Sequence, residues 1–193
     1  LKLAAIGTVA DVVDLACPEN RAIVAFGLAE LNRGPHNAGL RSLLEVSGLR
    51  VGEINSGDLG FRVGPRINAA GRLASATTVI ELLQCRDPKD AEPLARALDE
   101  MNTARRAIQE RILNEAISQV TDPSPEVVLV HGKESDGWHR GVTGIVAGRL
   151  RDHFNCPALV ITVTEAGCVG SMRSTPGVHS VALLESADGL LDR

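Results

Sequence analysis

The 193 residues are 44% hydrophobic and 23% charged, which places the chain in the globular range, long enough to bury a core as one domain or two small ones, and excludes a disordered or fibrous class. No run approaches the roughly 18 apolar residues a membrane span takes, and the opening LKLAAIGTVADVVD lacks a charged n-region and a small-residue cleavage site, so the expectation is a cytoplasmic protein without a membrane partner. A net charge of −4 and 2% aromatic residues, with no Tyr, exclude a broad basic surface or a base-stacking platform; any polyanion site is local and meets phosphates more than bases.

From Leu1 to about Cys85 the apolar spacing is helical, in pieces over roughly 3–15, 19–32 and 38–47, broken by Gly and Pro. Over 87–120, Leu94, Leu98, Met101, Ile108 and Ile112 recur at helical spacing and predict one long amphipathic helix, with Asp87 or Asp90 as its cap and Pro88 or Pro93 in its first turn. After TDPSPE come a strand over 126–131, a helix over 138–154, a buried strand over 157–163, a third strand over 168–174 and a helix from about 180 to 191. Strand, helix, strand predicts a parallel pair. The fold class is therefore α/β: a helical part over 1–86, a connecting helix over 87–121 and a small α/β domain over 122–193. The four cysteines, without a C-x-x-C pair, predict buried reduced thiols. A start without Met and a stop just after a helical pattern suggest an excised fragment.

Asp11 and Asp14 lie in the apolar stretch GTVADVVD. A buried carboxylate there must be paired, hydrogen-bonded or metal-bound, because burying it bare costs several kcal/mol; a single one cannot make a hydrolytic metal site. In GPRINAAGRL, Arg66, Asn68 and Arg72 supply donors beside small residues that let a phosphodiester approach. The competing reading is an arginine paired to a structural aspartate such as Asp58. GSMRS offers Ser171, Arg173 and Ser174 at a strand end, as an anion-binding loop or a plain turn. WHRGVTG puts His139 and Arg140 beside a Gly-x-x-Gly at a predicted helix start, where free N–H groups favour anions; a capping His is the alternative.

Together GTVADVVDL, GFRVGPRINAAGRL, WHRGVTGIVAGRL and GSMRS, in this order over nearly the whole chain, resemble the RecJ family of single-strand-specific exonucleases in the DHH phosphoesterase superfamily. The resemblance implies the end of a DHH catalytic domain over 1–86, a linker helix, and most of a DHH-associated domain. It implies a Mn²⁺ or Mg²⁺ cluster with Asp11 as one ligand, Arg66 near the reacting phosphate with Asn68 and Arg72 shaping the same loop, and a 5′ phosphate held by Ser171 and Arg173 with His139 and Ser174 in the same cleft. The implied activity is 5′-to-3′ hydrolysis of 5′-phosphorylated single-stranded DNA to mononucleotides in repair and recombination, with repair or replication proteins as further partners. The chain departs from the family in lacking Asp-His-His, Asp-x-Asp and Gly-Gly-His stretches and an OB domain, so it is expected to be inactive alone. The alternatives are a phosphodiesterase of the same superfamily acting on oligonucleotides or small phosphoesters, and a non-catalytic replication scaffold.

Overall fold

The computed structural model describes residues 1–187 and Gly189. It divides into two compact units, Leu1–Ala104 and Arg105–Arg193, each with its own apolar core.

The first unit is helical. Helix α1 (Lys2–Ala10) is followed by α2 (Pro18–Arg33), which starts with Pro in its first turn and ends at Gly34 with φ 67°. Helix α3 (Ala38–Val46) is capped by Asn37, whose side chain accepts from Leu40 N–H at 2.9 Å. A short α4 (Ser56–Asp58), closed by an Asn55–Asp58 capping box, runs into a π turn over Leu59–Val63 and then α5 (Gly64–Leu73). In the π turn Gly64 N–H reaches back five residues to Leu59 C=O. Pro65 has no N–H to donate, so the wide turn carries the helix past it. Helix α6 (Thr77–Gln84) follows. Leu31, Leu43, Leu44, Leu59, Leu82 and Leu98 are fully or almost fully buried in this core.

Helix α7 (Pro88–Gln119) is one 32-residue element. Asp87 Oδ1 accepts from Lys89 N–H at 2.9 Å and caps it, while Pro93 falls inside the helix instead of its first turn. In the second unit, β1 (Val128–Lys133) is followed by a 3₁₀ turn over Arg140–Val142, α8 (Thr143–Phe154), β2 (Ala158–Thr164), β3 (Gly167–Arg173) and a short α9 (Ser180–Glu185). Strand β1 pairs with β2 in parallel, Val128 opposite Ala158, and β2 pairs with β3 antiparallel, Val160 opposite Ser171. The α/β class and the parallel pair hold. Asn155 ends α8 at φ 53°, a conformation Asn tolerates.

Several expectations need correction. The first helix ends at Ala10, because Val12 turns the chain at φ 54°. The helix placed over 138–154 starts only at Thr143. The second strand alternates, with Ala158, Val160 and Thr162 buried and Leu159, Ile161 and Val163 partly exposed, instead of being buried throughout. Of the four cysteines, all free, Cys156 is buried and Cys168, on β3, is exposed. The helix expected to about 191 is described only to its end at Glu185 and the turn after it; its last residues lie outside the described ones.

Candidate functional site

In the first unit, Asp11 is the residue that ends α1. It is exposed, as are Val12, Val13, Asp14 and Leu15, so the apolar neighbours in sequence do not bury it and the expectation of a buried carboxylate fails. Asp14 is a turn former: its Oδ1 accepts from Ala16 N–H at 2.8 Å. Next to Asp11, Val12 holds a left-handed conformation while 87% exposed; for a β-branched residue this stores strain, a feature that clusters at functional turns. The end of α1 packs on the start of α5. A Cβ on Gly64 would lie 3.0 Å from that of Ala10, the residue before Asp11.

Arg66, Asn68 and Arg72 stand on a helix, not a loop. At about 100° per residue the helix turns Arg66 away from Asn68, while Asn68 and Arg72, four apart, share one side and are exposed. Arg66 faces Asp99 on α7: its Nε and Nη2 reach Asp99 Oδ1 at 2.8 and 2.7 Å, and Nη1 donates to Arg62 C=O at 2.6 Å. The aspartate partner considered from sequence, Asp58, instead meets Arg62, at 3.3 Å.

In the second unit, Ser171 and Arg173 lie within β3, with Ser174 just after it, so GSMRS is mostly strand and not a loop at its end. Being two apart, Ser171 and Arg173 point to one side, and both converge on the first turn of α8: a Cβ on Gly144 would sit 3.1 Å from Ser171 Oγ and 3.1 Å from Arg173 Nη2. Arg173 Nη1 donates to Ser171 Oγ at 3.2 Å and to Met172 C=O at 2.8 Å. A hydroxyl and a guanidinium thus meet a glycine without side chain at the start of a helix, an arrangement suited to an anion. His139 caps the preceding 3₁₀ turn, Nδ1 accepting from Gly141 N–H at 3.0 Å, which leaves Nε2 to carry the ring proton. Ser174 donates to Val178 C=O and closes the turn after β3. Sequence reasoning missed Asp99, which carries no local signal at 33 residues from Arg66.

Among the described residues no three His, Cys, Asp or Glu side chains come together to hold a metal ion. Asp11 offers one carboxylate, and a divalent cation takes several oxygen ligands, so this chain by itself does not fit a complete metal site.

No family model matches the chain. The single-stranded-DNA-specific exonuclease RecJ of Dickeya dadantii is 38% identical over 97% of this chain and 33% of its own length, and that of Bacillus subtilis 38% identical over 99% and 24%. A crystal structure of RecJ in complex with Mg²⁺ from Thermus thermophilus has a TM-score of 0.85 at 34% identity, covering 100% of this chain and 29% of that one. In sequence and in fold, the chain is similar to one stretch of RecJ from end to end. A manganese-bound exonuclease RecJ agrees, with a TM-score of 0.81 at 35% identity over 100% of this chain and 46% of the other. The chain therefore spans a third or less of the curated RecJ relatives above, and no helix among its described residues is long and apolar enough to cross a membrane.

Proposed function

We propose that this chain is the RecJ segment comprising the C-terminal part of a DHH catalytic domain (1–86), the connecting helix (87–121) and most of the DHH-associated domain (122–193). The whole protein hydrolyses single-stranded DNA from a 5′-phosphorylated end with Mn²⁺ or Mg²⁺, releasing mononucleotides, in DNA repair and recombination in the cytoplasm, alongside repair or replication proteins. The observation that carries this reading is the convergence of Ser171 and Arg173 on Gly144 at the α8 start, in a chain similar to RecJ along its whole length.

On this reading Ser171 and Arg173 bind the terminal phosphate, with His139 Nε2–H and Ser174 in the same cleft, and charge-assisted hydrogen bonds hold the end of the strand in place. Arg66, Asn68 and Arg72, on α5 of the first unit, serve backbone phosphates of the strand. Arg66 Nε and Nη2 are engaged by Asp99 and Nη1 by Arg62 C=O, so its phosphate contact uses the second N–H bonds of Nη1 and Nη2. Asp11 is one metal ligand and the others come from sequence outside this chain, so the chain alone does not cleave. The test is cleavage of one labelled strand with and without a 5′ phosphate, by the full-length protein and by this chain. Rapid release of mononucleotides from the phosphorylated strand by the full-length protein alone is expected. Preference for dinucleotides would move the assignment to an oligonucleotide phosphodiesterase, and no hydrolysis by either would leave a scaffold.

A further inference from the structure

Trp138, the sequence's single tryptophan, is 3% exposed. Its ring lies on Gly132 of β1 so closely that a Cβ there would fall 2.1 Å from the indole. The indole N–H donates to Glu115 Oε2 at 2.7 Å, and Glu115 Oε1 accepts from Arg111 Nη1 at 2.6 Å. Arg111 also donates to Asp136 C=O at 3.3 Å and Gly137 C=O at 2.6 Å. Gly137 sits at φ 84°, and a Cβ on it would be 2.5 Å from Arg111 Nη2, so glycine is what admits the guanidinium. Two residues one turn apart on α7 thus grip three consecutive residues of the loop after β1. The next residue is His139, which caps the turn leading to α8, and Thr143 Oγ1 ties the start of α8 back to Arg140 C=O at 2.8 Å.

We infer that Arg111, Glu115 and Trp138 are positioning residues: they fix the loop that sets His139 and the first turn of α8 against Ser171 and Arg173. Neither Arg111 nor Glu115 hydrogen-bonds Ser171 or Arg173, so their influence on the site passes through this loop. The function of the clamp rests on the reading of Ser171 and Arg173 as a phosphate site; its mechanical part does not.

The experiment therefore has two arms. Amide exchange on this chain, in wild type and Glu115→Ala, reads the loop: exchange at Gly141 is expected to rise about tenfold when the hydrogen bonds behind it are lost, with a red shift of Trp138 emission. Glu115→Gln, which keeps an oxygen for the indole, restores most of the protection. In the full-length protein, Glu115→Ala is expected to raise KM for a 5′-phosphorylated strand about fivefold, the scale of one hydrogen bond, with kcat held and the 5′-hydroxyl strand unaffected. Unchanged Gly141 exchange overturns the clamp. Raised exchange with an unchanged preference for phosphorylated ends, where Arg173→Ala removes that preference, overturns its positioning role. If Arg173→Ala leaves the preference intact, the phosphate reading has failed, and the exchange arm still decides the clamp. Should Glu115→Ala not fold, Trp138→Phe, which removes the indole N–H while keeping a ring on Gly132, is read by Gly141 exchange and KM alone, since it removes the single tryptophan.

Discussion

Arg66 and Asp99, 33 residues apart, are joined by two guanidinium nitrogens on a single carboxylate oxygen, at 2.8 and 2.7 Å. The Arg66 side chain is 15% exposed and that of Asp99 41%, so the pair is partly shielded from water and partly screened by it. Asp99→Asn keeps the shape and removes the charge. It is expected to cost the first unit about 1–2 kcal/mol, less than a fully buried charged hydrogen bond because Asp99 is wet. Urea unfolding checks this, and an unchanged midpoint would contradict the pair. Strand binding by the full-length protein separates the roles of Arg66: Arg66→Ala loses stability and binding, Asp99→Asn stability alone.

Asp11→Ala is expected to leave stability within about 0.5 kcal/mol, since the carboxylate is exposed, while abolishing metal-dependent cleavage in the full-length protein. Normal cleavage by this variant, measured in Mn²⁺ and in Mg²⁺, would remove Asp11 from the metal site.

Two glycines make opposite predictions. A Cβ on Gly39 would fall 1.6 Å from Leu82 C=O, backbone that cannot step aside, so Gly39→Ala is expected to cost about 3 kcal/mol or more. A Cβ on Gly71 meets nothing within 4 Å, so Gly71→Ala should stabilise α5 by about 0.5–1 kcal/mol. If a strand passes over this helix, the same variant binds single-stranded DNA more weakly while melting later. Unaltered binding would place the strand elsewhere.

His36 is held below the ordinary imidazole value by burial first, then by the charges of Lys2, whose Nζ lies 3.3 Å from its Nδ1, and Arg41, with the Leu31 backbone acting the other way. A depressed folded value means the unfolded chain binds the proton more readily. The stability His36 contributes is therefore full above about pH 6.5 and is lost as pH falls through its lower folded value. Unfolding midpoints between about pH 5 and 8 should show this slope in wild type and a flatter one in His36→Gln; equal slopes would contradict it.

The long helix was legible because Leu94, Leu98, Met101, Ile108 and Ile112 repeat on one face, and the structure buries Leu98 and Ile112 completely. The parallel pair was legible from strand, helix, strand. The stretch from 60 to 73 was not, since Gly64, Pro65 and Gly71 read as breakers while the π turn carries the helix past Pro65 and α5 runs on through Gly71. Nor was the exposure of Asp11, because an apolar sequence does not say which of its residues face the core. The pairing of Arg66 with Asp99 and the grip of Arg111 and Glu115 on the loop around Trp138 depend on tertiary approach, which periodicity does not encode.

Ser171 and Arg173, on β3 and set against the first turn of α8, are proposed to bind a terminal phosphate. This is tested by the affinity of the full-length protein for one single strand with a 5′ phosphate and with a 5′ hydroxyl, in wild type and Arg173→Ala. A charge-assisted hydrogen bond is worth roughly 1.5–3 kcal/mol, so the wild type is expected to prefer the phosphorylated end by about tenfold or more and the variant to lose that preference. Equal discrimination by the two proteins would remove Ser171 and Arg173 from a phosphate site.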